Sequence, residues 1–110
     1  LPRVQALIEA EPALLAAVLP IVGNVEASLN VRLCAGVLFE VFAGSEALAA
    51  LIPRLGELSR DPDARVRADA CHYLGLSGRA EARPWVEACL TDSNMEVREI
   101  AEESLIGLPA

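Results

Sequence analysis

One dipeptide, Val-Arg, recurs along the chain at a spacing that limits the folds open to it. The three copies are Val31-Arg32, Val66-Arg67 and Val97-Arg98. Successive copies lie 35 and 31 residues apart, and the difference between these spacings is about one turn of helix. A fixed period in the thirties is typical of stacked helical hairpins, each of which buries its apolar face against its neighbours. The sequence therefore predicts an array of helix pairs built on one repeating unit.

Each copy begins with a residue that favours the start of a helix. Ser28, Asp63 and Asn94 stand three residues before the three valines, and their side chains are good acceptors for the free N–H groups of a first helical turn. The apolar residues that follow recur at helical spacing and define one stripe. The stripe contains Val31, Ala35, Leu38, Phe39 and Phe42 in the first copy, Val66, Ala70, Tyr73 and Leu74 in the second, and Val97, Ala101 and Leu105 in the third. Gly44 and Gly78 follow the first two of these helices, where a left-handed residue often ends a helix.

A second helix is expected after the first in two of the copies. The apolar pattern predicts these second helices over Ser45–Leu58 and Ala80–Leu90. Pro53 lies well inside the former and is expected to kink it. Before the first copy, residues 2–10 have the pattern of a short helix, and Ala13–Val22 that of a helix with apolar residues on several sides.

These patterns predict an all-α fold, a right-handed solenoid of stacked antiparallel helix pairs with about six helices. The size agrees, because 110 residues are enough for one domain with its own core. The chain is also rich in Ala and Leu and only 4% aromatic, which favours closely packed helices. We expect a single domain over residues 1–110. Its units are an N-terminal helix pair at 1–23, repeats at 24–60 and 61–91, and a C-terminal half repeat at 92–110.

Charge and cysteine content limit the partners and the compartment. With 9 basic and 16 acidic residues the net charge is −7, which disfavours nucleic acids and anionic membranes as partners. The most apolar stretch, residues 13–23, is shorter than the roughly 20 residues that span a bilayer. Cys34, Cys71 and Cys89 have no metal-ligand spacing, and we interpret them as small buried side chains in a reducing, cytoplasmic compartment. Neither a cofactor nor a metal is expected.

The second copy reads Asp-Pro-Asp-x-x-Val-Arg-x-x-Ala-x-x-x-Leu-Gly from Asp61 to Gly75. This motif resembles the short HEAT-like repeat of the phycobilisome-lyase type, and the resemblance extends over roughly residues 24–108. The third copy lacks the proline and the glycine of the motif, and the first has Glu26 where aspartate is usual. In such repeats the loop acid and the helix arginine form a hydrogen-bonded ladder between neighbours. The resemblance therefore implies a structural ladder of Glu26, Asp61 and Asp92 with Arg32, Arg67 and Arg98.

The resemblance implies a non-enzymatic scaffold or protein-interaction module. The N-terminal helix is richly apolar, whereas a terminal cap is expected to be polar on its outer side, so we expect the module to be part of a larger protein, with a covalently linked upstream domain as one option. A bilin-lyase-like role and a regulatory appendage of an enzyme, including a redox enzyme, are the alternatives. The second helices are expected to form the inner face of the array. Arg54 and Trp85 are therefore the candidate interaction surface, because arginine and aromatic residues anchor interfaces. The alternative for Trp85 is packing over its own helix pair.

Two groups of reactive side chains are interpreted as structural. Cys71 and His72 are adjacent, and adjacent residues on a helix do not face each other, so they do not form a local thiolate–imidazole pair. Glu99, Glu102 and Glu103 are expected to be a solvated helix face. The sequence therefore predicts no catalytic residue.

Overall fold

The computed structural model describes residues 13–110, and the helix predicted over residues 2–10 lies outside them. Within the described range every regular element is helical, so the all-α prediction is confirmed. The α-helices are α1 (residues 13–22), α2 (Leu29–Val41), α3 (Glu46–Ala50), α4 (Ile52–Leu58), α5 (Ala64–Leu76), α6 (Arg83–Ala88) and α7 (Met95–Ile106). Short 3-10 turns, Ala80–Ala82 and Cys89–Thr91, flank α6.

The three long helices begin at the predicted residues. The side chains of Ser28, Asp63 and Asn94 accept hydrogen bonds from the backbone N–H groups of Val31, Val66 and Val97, at 3.2, 3.1 and 3.1 Å. Each bond satisfies a donor that has no partner inside the helix. Gly44 and Gly78 have φ angles of 74° and 65°, the left-handed conformation that glycine adopts without steric cost. The local signals in the sequence thus place the helix starts correctly.

The second helix of each hairpin is less regular than its sequence pattern predicts. Instead of one helix over Ser45–Leu58 there are two, α3 and α4, which meet at Leu51. Pro53 lies in the first turn of α4, and a proline further inside a helix would clash with the preceding turn. In the second hairpin, α6 and its two 3-10 turns take the place of the helix predicted over Ala80–Leu90.

One continuous apolar core joins the helices. It takes side chains from α1 (Leu15, Leu19 and Val22), from the first repeat (Phe39, Leu48, Leu51, Ile52 and Leu55), from the second (Cys71, Tyr73, Leu74, Val86 and Cys89) and from α7 (Val97 and Ala101). The stripe is buried as predicted at Val66 and Val97, both 0% exposed. The prediction is wrong for the equivalent Val31, which is 44% exposed.

Cys34 is a second departure from the predicted core. Cys71 and Cys89 are buried free thiols, as expected, but Cys34 is exposed. Its neighbour Gly36 approaches α5, where an added Cβ would lie 3.2 Å from the Tyr73 hydroxyl. Two residues along a helix correspond to about 200° of rotation, so Cys34 lies on the side of α2 that faces away from α5.

Candidate functional site

The joint between α5 and α7 is tight and is held by a paired arginine and carboxylate. Arg67 donates from Nε to Asp92 Oδ2 at 2.9 Å and from Nη2 to Asp92 Oδ1 at 3.1 Å. Both side chains are largely buried, with 15% and 12% exposure. At the other end of the joint, a Cβ on Gly75 would lie only 2.8 Å from Ser104 Cβ. The two helices therefore approach closely along this face.

The ion pair also changes the acid–base properties of its members. The hydrogen bond from Arg67 lowers the pKa of Asp92 below its ordinary value, against the opposing effect of burial. The same hydrogen bond raises the pKa of Arg67. A two-point contact between a guanidinium and a carboxylate fixes both distance and orientation, so this pair determines how the loop before α7 sits on α5.

Arg67 and Arg98 each donate hydrogen bonds to the loop that precedes their own helix. Arg67 Nη1 donates to the carbonyl oxygens of Asp61 and Pro62, both at 2.9 Å. Arg98 Nη1 donates to the Asp92 carbonyl oxygen at 2.7 Å. Each arginine thus closes the loop that precedes its helix, in addition to any contact across the joint.

The joint between α2 and α5 is built differently. Arg32 lies 3.6 Å from Asp69 on α5, not against Asp61, and its buried Nε has no hydrogen-bond partner. Arg65 reaches the same carboxylate at 3.4 Å and donates to the Asn24 carbonyl oxygen at 3.2 Å. Burial raises the pKa of Asp69 even though both arginines lower it. The arginines therefore offset the cost of burying the Asp69 carboxylate less completely than Arg67 does for Asp92.

Loop length explains why Glu26 does not occupy the ladder position. The side chains of Asp61 and Asp92 accept hydrogen bonds from the N–H groups two residues ahead, at the helix caps. In the first loop Asn24 makes this turn, accepting from the Glu26 N–H at 2.9 Å. Asn24 lies four residues before the cap Ser28 instead of two, so the first loop is longer and the register shifts.

Aromatic packing keeps α2 and α5 apart and leaves a groove between them. The rings of Phe39 and Tyr73 stack with centroids 4.2 Å apart and an interplanar angle of 12°. Next to Tyr73, His72 Nε2 lies 3.8 Å from a Glu40 carboxylate oxygen. The groove has a volume of about 490 Å³. It is lined by Leu29, Arg32, Leu33, Gly36, Val37, Glu40, Asp69, His72 and Tyr73.

The outer side of α2 carries a continuous apolar surface. Residues four apart lie in one row along a helix, and four such residues, the α2 row, are exposed by 62, 58, 58 and 66%. The α2 row consists of Leu29, Leu33, Val37 and Val41. Val31 is also exposed, but it lies about 200° around the helix from Leu29 and from Leu33, on another side of α2. A contiguous apolar surface of this kind marks an interaction site more often than scattered exposed residues do.

A comparison of the sequence with family profiles agrees with the repeated helical architecture. The sequence profile of HEAT repeats matches residues 26–106, well over half of the chain. The chain belongs to the HEAT-repeat family. HEAT repeats generally serve as protein-interaction scaffolds. No curated protein and no solved structure matches this chain.

In this HEAT array, Trp85 packs between repeats. A Cβ on Gly56 of α4 would overlap the Trp85 ring, so the ring lies directly on the α4 backbone. The guanidinium carbon of Arg60 lies 4.8 Å above the ring centroid, which adds a cation–π contact. Trp85 is half-buried, and the cation over it is Arg60 rather than Arg54.

Arg54 lies on a separate part of the HEAT array, the groove between α1 and α4. This groove has a volume of about 430 Å³ and is lined by Ala16, Leu19, Pro20, Gly23, Arg54, Glu57 and Leu58. The Arg54 side chain is exposed. Arg54 thus borders this groove, whereas Trp85 lies against Gly56 and Arg60.

The remaining reactive side chains lie where they serve packing or solvation. A hydrogen bond with Cys89, together with burial, raises the pKa of the Cys71 thiol, so the nucleophilic thiolate is disfavoured. The three glutamates of α7 singled out above are exposed. Within residues 13–110 no group of three or more His, Cys, Asp or Glu side chains is placed to hold a metal ion. None of the helices in that range is long and apolar enough to cross a membrane.

The sequence pattern missed the α2 row because its apolar residues look like core. One signal was available: between Ala27 and Phe39 the single charged residue is Arg32. A surface helix of a soluble repeat normally carries charges on its outer side. A helix apolar all round has to be covered on more than one side, or else it leaves a surface for a partner.

Proposed function

We propose that this chain is a non-enzymatic protein-interaction module that docks its partner on the α2 row and the adjoining α2–α5 groove. The observation that carries the proposal is the exposure of four large apolar side chains in one row. Fully burying a valine or leucine side chain is worth about 1.5–3 kcal/mol. Four side chains that are already partly covered would then contribute roughly half of that each, or a few kcal/mol in total.

The charges beside the row indicate the polarity of a partner. Arg32 and Arg65 lie near the N-terminal end of the groove, with Asp69 between them. Glu40 lies at the other end, beside His72. A partner segment with an apolar centre, an acidic end toward the arginines and a basic end toward Glu40 would match this arrangement.

We propose different roles for Arg54 and Trp85. Arg54 borders the α1–α4 groove, which supports a secondary contact there. Trp85 is engaged with Gly56 and Arg60, which supports a mainly structural contribution. The covalently linked upstream domain, the bilin-lyase-like activity and the appendage role remain predictions from the sequence.

Cross-linking followed by mass spectrometry tests the proposal. The chain, carrying a photoreactive residue in place of Asn30 beside the α2 row, is added to an extract, and cross-linked peptides are mapped. We expect cross-links that disappear when Leu33 and Val37 are both replaced by Glu and persist in the matched Met95→Glu/Ile106→Glu variant. Cross-links that survive Leu33→Glu/Val37→Glu but are lost in Arg54→Glu would move the docking site to the α1–α4 groove and refute the α2 assignment.

A further inference from the structure

We infer that the partner on the α2 row is a second copy of this chain, paired through α2 in antiparallel orientation about a twofold axis that passes between Leu33 and Val37. This inference rests on the proposed function, because it names the occupant of the same surface. In that pairing Leu29 meets Val41 of the second copy, and Leu33 meets its Val37. A twofold contact requires a patch that is complementary to itself, and a row of four apolar side chains centred on one point meets this requirement.

The charges at the two ends of α2 are also self-complementary. The N-terminal half of α2 carries Arg32, which shares Asp69 with Arg65, so this cluster has one net positive charge. The C-terminal end carries the exposed carboxylate of Glu40. Antiparallel pairing places each Glu40 near the cluster of Arg32, Arg65 and Asp69 in the other copy. It also places the two helix dipoles in opposite directions, which is the favourable arrangement.

The positions of the acidic side chains on the surface favour self-association through α2. Two chains with a net charge of −7 repel each other, so the contact has to be made where carboxylates are few. The outer side of α7 carries four exposed glutamates, Glu96, Glu99, Glu102 and Glu103. Between Ala27 and Phe39 there is no acidic residue. Of these two outer surfaces, only that of α2 lets two copies meet without opposing carboxylates.

The size of the patch sets the expected strength. The four residues of the α2 row leave roughly 400 Å² of surface exposed, compared with about 800 Å² per partner in a standard interface. The dimer should therefore be weak and reversible, with a dissociation constant of roughly 10–500 µM. Such a dimer dissociates on dilution, which makes it measurable.

Sedimentation equilibrium on the purified chain, from about 5 µM to about 1 mM, tests the inference. We expect reversible dimers in the wild type and at least tenfold weaker association in Leu33→Glu/Val37→Glu. The Met95→Glu/Ile106→Glu variant has the same charge change at two exposed apolar residues of α7 and should dimerise no more than about threefold more weakly. Circular dichroism confirms that both variants keep the helical content of the parent.

A distance measurement on the wild-type sequence tests the register without any apolar substitution. Cys34 is the exposed cysteine, whereas Cys71 and Cys89 are buried, so a spin label attaches selectively at Cys34. Antiparallel pairing about an axis between Leu33 and Val37 places the two labels within about two helix diameters, roughly 20–25 Å. A longer distance in a confirmed dimer would overturn the α2 contact.

The failure of this inference and that of the proposed function are distinguishable. A purified chain that stays monomeric up to about 1 mM overturns the dimer, while α2-dependent cross-links to another protein in an extract would keep the interaction module intact. A dimer that forms equally well in Leu33→Glu/Val37→Glu overturns the role of α2 in self-association.

Discussion

At Gly56, the absence of a side chain determines how two repeats meet. The Trp85 ring occupies the space that a Cβ at this position would take, and the Arg60 guanidinium lies over the ring. Glycine inside a helix costs about 1 kcal/mol relative to alanine, so it is retained here for close packing. The residue thus fixes the distance between α4 and α6.

Replacing Gly56 by alanine should destabilise the protein. The added methyl group forces the Trp85 ring out of place, and such overpacking costs about 1–3 kcal/mol, which exceeds the gain in helix propensity. Urea denaturation measures the change. Gly36→Ala is the matched control, since its Cβ would meet only the Tyr73 hydroxyl at 3.2 Å, and it should be neutral or slightly stabilising. If Trp85→Leu does not reduce the cost of Gly56→Ala, the steric explanation is wrong.

Asp92 contributes stability that depends on pH in a defined direction. Its pKa is lowered in the folded protein by Arg67, so its contribution is complete above the ordinary value of 3.8 and is lost as the pH falls through the lower folded value. Asp92→Asn should cost about 1–3 kcal/mol at neutral pH. The difference from wild type should shrink as the pH falls below the ordinary value of 3.8.

Urea denaturation at several pH values measures this difference. Glu99→Gln, which removes an exposed carboxylate on α7, serves as the control and should change stability by less than about 0.5 kcal/mol throughout. A cost for Asp92→Asn that is equal at pH 7 and pH 2 would show that the carboxylate acts through shape alone and not through its charge.

Among the helices, α2 and α5 occupy the same place in the repeat but lie in different surroundings. Val66 on α5 is completely buried, whereas Val31 at the same position of α2 is 44% exposed. Equal sequence position therefore does not mean equal burial. The difference arises because burial depends on the neighbouring helix, which the repeat pattern does not specify.

The pair of substitutions Val66→Asp and Val31→Asp tests this difference between elements. An aspartate in place of Val66 would bury an unpaired carboxylate, and we expect a loss of about 3–5 kcal/mol. The same change at Val31 leaves the carboxylate in contact with water and should cost less than about 1 kcal/mol. Thermal melting followed by circular dichroism gives both values. Similar losses in the two variants would mean that Val31 is covered in solution.

Local features of the elements could be predicted from the sequence, whereas the joints between them could not. The N-cap at Ser28 and the glycine at Gly44 that follows α2 depend on residues within one helical turn, so the sequence pattern identifies both. The contact between Arg32 and Asp69 depends on the length of the first loop and on the side chains of a different repeat. The exposed α2 row was missed for the same reason: an apolar helix face has the same sequence whether a neighbour covers it or not.

For the whole molecule, the two joints differ in their ion pairs and packing, and the helices α2 and α7 beside them differ in the polarity of their outer sides. The α5–α7 joint combines a buried ion pair with close backbone approach, and α7 turns an acidic side outward. The α2–α5 joint has a longer ion pair and an open groove, and α2 turns an apolar side outward. An outer side rich in carboxylates favours contact with water, whereas an apolar outer side favours association. The α2 side is therefore the one suited to association.

Salt should strengthen association of the whole molecule with itself. Two copies with a net charge of −7 repel across the solvent, and about 0.5 M salt shortens the screening length to a few Å. The apolar contact between the α2 rows is insensitive to this screening, so the dimer should become several-fold tighter between about 0.05 and 0.5 M sodium chloride. Sedimentation equilibrium at fixed protein concentration measures the change, with the Leu33→Glu/Val37→Glu variant as the control that stays weakly associated. If added salt instead dissociated the wild-type dimer, the cross-pairs of Glu40 with the opposite Arg32 would dominate the interface, and the apolar row would not be its source of stability.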